Sequence, residues 1–276
     1  MQTLQAVIMG AVQGLTEFLP VSSSGHIVLS SALYKLVTGA NFEVVNSEEI
    51  FFDILIHFST LLAVIIYFFK DIKNIVKGFF RGLILKDYKD ENFKFGIYIL
   101  AATFITCCFG LLVRDFAHSL TENPVIVSIL IMVTGSVIFL SEKICKNNKK
   151  INLKSSLITG LFQGFAIFPG LSRSGMTIAA LMLNGVSRVA AAKFSFILSI
   201  PVIILASFVY PVITFDISDL GDCNYKAIII GMITAFVVGY FCIKYFMKFI
   251  EKFGLQIFSY YCWIIGLTCA VIFALN

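Results

Sequence analysis

The sequence predicts an all-α, polytopic integral membrane protein with six transmembrane helices and two re-entrant helical hairpins, arranged as an inverted-topology repeat. Three observations carry that expectation. The chain has 276 residues, of which 59% are hydrophobic and only 13% charged, about half the charge of an ordinary soluble domain. Its Lys and Arg residues gather in particular connections between apolar runs. Finally, two apolar segments are interrupted by a similar cluster of small and polar residues.

The first apolar stretch, residues 1–37, has no Lys or Arg before Lys35 and no evident small-residue cleavage site. It therefore reads as mature structure rather than a signal peptide. It is broken midway by QGLTEFLPVSSSGH, Gln13 to His26. Runs at roughly 51–69, 95–113, 124–141, 191–213, 225–243 and 257–275 are long and apolar enough to cross a bilayer. After the first of them, IKNIVKGFFRGLILK (Ile72 to Lys86) reads as an amphipathic helix on the inner surface. Residues 155–187 form the second broken apolar stretch, centred on QGFAIFPGLSRSG from Gln163 to Gly175.

Charge placement orients these elements. Of 21 Lys and Arg, seven fall in 70–94, five in 143–154, two in 188–193 and three in 244–252. Cytoplasmic loops collect such residues, so these connections belong inside. Others lean acidic, through Glu43, Glu48 and Glu49 in one and Asp216, Asp219 and Asp222 in another. Six crossings then alternate with both chain ends outside. Residues 1–37 must enter and leave by the outer face, and 155–187 by the inner face. Broken backbone at that depth is tolerated where it is buried in protein or lines a wet cavity. The net charge of +5 is thus a feature of topology and not of nucleic-acid binding. The seven cysteines show no metal-type spacing and read as small buried apolar residues.

The two broken segments align with each other. Gln13, Gly14, Ser22, Ser24 and Gly25 recur as Gln163, Gly164, Ser172, Ser174 and Gly175. Halves of roughly 1–150 and 151–276 within one membrane domain would each hold one hairpin and three spans. An odd number of spans makes the halves opposite in orientation, as in secondary transporters whose broken helices meet at the binding site.

In each break the serines precede a new helix starting near Gly25 or Gly175. Serine caps helix starts, and their unpaired N–H groups and partial positive charge suit phosphate. Arg173 adds a planar, permanently charged fork of donors. Glu17, one turn beyond Gln13 on the same face, is a carboxylate at membrane depth and a functional candidate by default. It suits a divalent cation, a transferred proton or an ion pair with Arg173. Ser22 and Ser24 recur and read as cap and phosphate-holding groups. Ser23 stands where the other half has Arg173, and is a candidate nucleophile. His26, three residues on, is placed for proton exchange or direct attack. Thr177 offers a further hydroxyl. Asp53 and His57, an i, i+4 pair on the first crossing, read as helix–helix hydrogen bonding ahead of cavity lining.

These residues closely resemble the bacterial undecaprenyl-diphosphate phosphatase family of the bacitracin-resistance type. QGLTE carries its Glu/Gln-x-x-x-Glu pattern at Gln13 and Glu17, SSSGH its serine–glycine–histidine segment, and PGLSRSGMT (Pro169 to Thr177) its arginine motif. The similarity extends to FFDILIHFSTLLAVIIYF and AAKFSFILSIPV, and so over most of the chain. It implies hydrolysis of undecaprenyl diphosphate to the monophosphate and phosphate, which recycles the lipid carrier of wall synthesis. It further implies dependence on a divalent cation (magnesium or calcium) near Glu17 and a bacterial plasma-membrane location. The site would face outward, and family members are often homodimers. The expected catalytic residues are Glu17, Ser23, His26 and Arg173. Gln13, Ser22, Ser24, Gly25, Ser172, Ser174, Gly175 and Thr177 are expected to hold the polyprenyl diphosphate. Ser23 is the first choice of attacking group, ahead of His26 or water. A flippase of phosphorylated polyprenyl lipid is the alternative that the repeat allows.

Overall fold

The computed structural model describes residues 2–38, 47–145, 149–214 and 224–275. The acidic residues Glu43, Asp216, Asp219 and Asp222, and Cys223, lie outside them. Among the described residues the fold is helical. The first broken segment is α1 (Thr3–Thr16) and α2 (Ser23–Thr38). It is followed by α3 (Ser47–Tyr67), α4 (Phe69–Leu85), α5 (Glu91–Ser119), a 3-10 turn and α6 (Pro124–Ile144). The second broken segment is α7 (Leu153–Phe165) and α8 (Arg173–Leu183), and α9 (Arg188–Thr214), α10 (Tyr225–Phe253) and α11 (Gln256–Ala274) complete the chain. Glu48 and Glu49 fall in the first turn of α3.

Five helices, α5, α6, α9, α10 and α11, are each long and apolar enough to cross a membrane; α3 passes the same test together with α4, from which it bends by 80°. The protein is a multi-pass membrane protein. Sequence periodicity also anticipates α4, whose lysines and arginine alternate with an apolar face. The helix packs on α5 through Gly78 and Gly82, which make room for Asn92 and Phe93, while Val76, Phe80, Leu83 and Ile84 stay exposed.

Small residues decide the closest helix crossings. Gly10 and Gly14 on α1 meet Gly231, Ala235 and Gly239 on α10. A Cβ on Gly10 would lie 2.3 Å from the Gly231 carbonyl oxygen, and one on Gly14 would lie 2.8 Å from that of Ala235. Gly160 on α7 meets Ala102 on α5 in the same way, at 2.4 Å from its carbonyl oxygen. Close backbone approach through small residues is how helices pack where lipid removes the hydrophobic drive between them. Gly160→Leu is expected to force α7 off α5 at a cost of about 1–3 kcal/mol, typical of overpacking. A lowered melting temperature in detergent would register it, and an unchanged one would mean the crossing relaxes freely.

The pairings run in parallel: α1 lies on α10 as α7 lies on α5, while α3 packs on α9 and α6 on α11. The basic connections meet at one end of the bundle. There Lys193 pairs with Asp71 at 2.6 Å, Lys150 with Glu91 at 2.8 Å, and Arg188 grips Glu142 through Nε and Nη2. The Lys149 amide donates to the Gly185 carbonyl at 3.0 Å, so the chain enters α7 and leaves α8 at that same end.

Candidate active site

Each broken segment turns on one residue with left-handed backbone, Ser22 at φ 70° in the first and Gly170 at φ 100° in the second. Beyond each turn a serine hydroxyl caps the new helix. Ser22 Oγ accepts from the Gly25 amide at 3.2 Å, and Ser172 Oγ accepts from the Gly175 amide at 3.2 Å. Ser22 and Ser24 share a hydroxyl contact at 3.5 Å, as do Ser172 and Ser174 at 3.2 Å.

Buried carbonyls in such breaks need partners, and neighbouring helices supply them. Thr134 Oγ1 on α6 donates to the Gly170 carbonyl at 3.0 Å and accepts from the Ser172 amide at 3.1 Å. Ser174 Oγ donates to the Leu19 carbonyl at 3.1 Å, tying one break to the other. The thiols of Cys242 and Cys262 donate to the carbonyls of Leu15 and Pro20 at 3.4 and 3.7 Å. These two cysteines are therefore weak donors as well as apolar filler.

The two breaks converge. A Cβ on Gly25 would lie 2.9 Å from Gly170 Cα, and one on Gly175 would lie 3.3 Å from Pro20 Cβ. Between them is a cleft of about 210 Å³ lined by Glu17, Ser22, Ser23 and Ser24 of one break, Ser172, Arg173 and Ser174 of the other, and His57 of α3. Arg173 Nη2 donates to Glu17 Oε1. Glu17 Oε2 accepts from Gln13 Nε2 at 3.0 Å. The ion pair is largely buried, with the Glu17 side chain 8% and the Arg173 side chain 18% exposed. The other terminal nitrogen, Arg173 Nη1, is buried and has no partner. A buried charged donor without an acceptor is costly, and this nitrogen is left with the capacity to take an oxygen acceptor.

Not every expected residue reaches the cleft. The Gly25 and Gly175 amides are spent on the serine caps, and the two glycines serve close packing of the breaks. The amides at 23, 24, 173 and 174 are left as first-turn donors with no intrahelical carbonyl to bond. Thr177 is turned away: its hydroxyl contacts Ser195 Oγ at 2.6 Å and donates to the Arg173 carbonyl at 2.8 Å. Its place one turn inside α8 points it at α9, so it braces the helix instead of lining the cleft. Gln13 acts through Glu17 and lines an adjoining cavity of about 310 Å³ with His26 and Asp53.

His26 is also held off the cleft. Its Nδ1 lies 2.7 Å from the Ser22 carbonyl oxygen and its Nε2 lies 2.8 Å from the Tyr261 hydroxyl, with the two rings stacked. The i, i+4 carbonyl and an aromatic partner on α11 fix the ring there. His57, expected chiefly to bond between helices, is the histidine that lines the cleft, with Nε2 3.8 Å from Glu17 Oε2. Its spacing from Asp53 was the one sequence signal that pointed to a polar cavity on α3.

The sequence has counterparts among known proteins. The model of the family described as bacitracin resistance protein BacA matches residues 6–268. An undecaprenyl-diphosphatase of Methanobrevibacter smithii is 39% identical over 97% of this chain and 96% of its own length. One from Halothermothrix orenii is 38% identical over 99% of this chain and 98% of its own, and one from Methanosphaera stadtmanae is 37% identical over 98% and 97%. With the match running through both breaks and nearly every helix, the chain belongs to the BacA bacitracin resistance protein family.

Proposed function

We propose that this protein is an undecaprenyl-diphosphate phosphatase, hydrolysing the lipid diphosphate to undecaprenyl phosphate and inorganic phosphate and so recycling the carrier used in wall synthesis. The observation that carries the reading is the orphaned Arg173 Nη1 in a cleft between two serine-capped helix starts. Three kinds of anion-seeking group converge there: a guanidinium, first-turn amides and hydroxyls. The relatives, named undecaprenyl-diphosphatases, point to the same substrate.

In this reading the diphosphate lies between the breaks. Its terminal phosphate takes the Nη1 donor and the amides at the starts of α2 and α8, and the polyprenyl tail leaves along apolar surface. The cavity beside Gln13, walled by Ile8, Met9, Val12 and Ile56, supplies such surface. Ser23 attacks the terminal phosphorus, and water later releases the phosphate from it. Most of the rate comes from preorganised charge, as is general in phosphoryl transfer.

The described residues offer no cage for a resident cation. Among the described residues no three His, Cys, Asp or Glu side chains converge, and both Glu17 oxygens are engaged by Arg173 and Gln13. Magnesium or calcium would enter as a counter-ion carried in on the diphosphate, and would there neutralise phosphate charge.

The pairing of α1 with α10 and of α7 with α5 supports an inverted repeat, with both broken segments re-entrant. The meeting of the basic connections at one end supports chain termini and cleft on the outer face of the plasma membrane. Purified protein in detergent is expected to release one phosphate per long-chain polyprenyl diphosphate, and to lose most of that activity with chelator. Absence of phosphate release, together with protein-dependent movement of the lipid across sided vesicles, would replace the phosphatase with the flippase.

A further inference from the structure

Two of the three histidines are built alike at one end of the ring. His57 Nδ1 lies 2.8 Å from the Asp53 carbonyl oxygen, and His26 Nδ1 lies 2.7 Å from the Ser22 carbonyl oxygen. A carbonyl only accepts, so in both rings Nδ1 carries the hydrogen, and in the neutral ring Nε2 then presents its lone pair. They differ at the other end. The His26 lone pair is taken by the Tyr261 hydroxyl at 2.8 Å. The His57 lone pair has no hydrogen-bond partner among the described residues and opens on the cleft that Ser23 lines. Glu17 Oε2, at 3.8 Å, is beyond hydrogen-bond reach. It leaves the lone pair free while standing close enough to stabilise an imidazolium. The charged groups facing the ring are Asp53 on its own helix, with Oδ2 3.6 Å from Nδ1, and Glu17 and Arg173 from the two breaks.

We propose that His57, and not His26, is the proton-accepting base of this cleft. The proposal rests on the phosphatase reading. Ser23 Oγ forms a bond to the terminal phosphorus, and the bond from that phosphorus to the bridging oxygen breaks. The serine proton passes to His57 Nε2 and from there to the departing polyprenyl phosphate. In the second half water attacks the phosphoserine. Its proton goes to Nε2 and then to Ser23 Oγ as phosphate leaves. Glu17 supplies the compensating charge in both halves. The ring is held for this work by α3, whose Nδ1–H bond to Asp53 fixes its tautomer and angle.

The test is the pH profile of kcat for phosphate release, measured in wild type, His57→Gln and His26→Gln. Wild type is expected to lose kcat on the acid side as the base protonates. His57→Gln should lose kcat by about 10²–10⁴-fold, the usual contribution of a positioned base, with KM changed far less. Its residual activity should lack the acid limb, whereas His26→Gln should keep that limb whatever its kcat. An acid limb that survives in His57→Gln and disappears in His26→Gln would overturn the proposal. So would a His57→Gln kcat within threefold of wild type. A tautomer measurement gives a reading independent of turnover: nitrogen-15 spectra should show His57 carrying its hydrogen on Nδ1 and a bare Nε2. An Nε2–H form would overturn the proposal too. A wild-type enzyme that releases no phosphate at all would instead sink the phosphatase reading on which it rests.

Discussion

Arg173→Ala is expected to reduce phosphate release by at least about 10³-fold, the lower end of what a transition-state arginine supplies in phosphoryl transfer. Two losses combine. The first is the Nη1 donor, buried and unpartnered in the free site, that would meet the terminal phosphate. The second is the counter-charge of Glu17, whose side chain is only 8% exposed. Breaking a buried pair by removing one partner typically costs about 3–5 kcal/mol, because the survivor is left uncompensated. Arg173→Lys separates these losses. It keeps charge near Glu17 but not the planar fork, so the protein should stay folded while turnover remains severely impaired. Near-normal turnover of either folded variant would remove Arg173 from the chemistry.

Glu17→Gln is expected to be the second most damaging change, with kcat down by about 10²–10⁴-fold. The amide preserves shape but surrenders the charge that anchors Arg173 and that would stabilise a protonated His57. It also disturbs the bond from Gln13. A double-mutant cycle distinguishes this from an unrelated role. Residues in one ion pair act as a unit, so Glu17→Gln combined with Arg173→Ala should cost far less than the two single effects together. Additive effects in the cycle would mean that the two side chains work separately.

Much of this was legible beforehand because membranes restrict the possibilities. Apolar runs near twenty residues have to be helices there, and each span starts within four residues of its expected run, although α5 and α10 continue six and ten residues past the expected ends. Breaks at Pro20 and at Pro169–Gly170 were visible because those residues stop helices, and serines before a new helix read as caps. Ser22 and Ser172 are those caps. Glu17 and Arg173 stood out because a charge at that depth needs a partner, and each is the other's. Less legible was the packing through Gly10, Gly14 and Gly160, since in apolar helices small residues are common wherever they point.

By itself, the sequence determined the membrane class, the order of the helices, the two broken segments and the carboxylate and guanidinium that meet between them. Each follows from local rules: hydropathy, helix-stopping residues and the cost of a lone charge in lipid. Only the tertiary structure decided which polar side chains face the cleft. His26 sits nearer the serines in sequence, yet the hydroxyl of Tyr261 on α11 claims its lone pair, while His57 arrives from α3 with its lone pair free. Thr177 lies in the arginine motif yet turns to Ser195 on α9. Helical periodicity places a side chain on a face, but which face meets the opposite break is set by how α3, α9 and α11 pack around it.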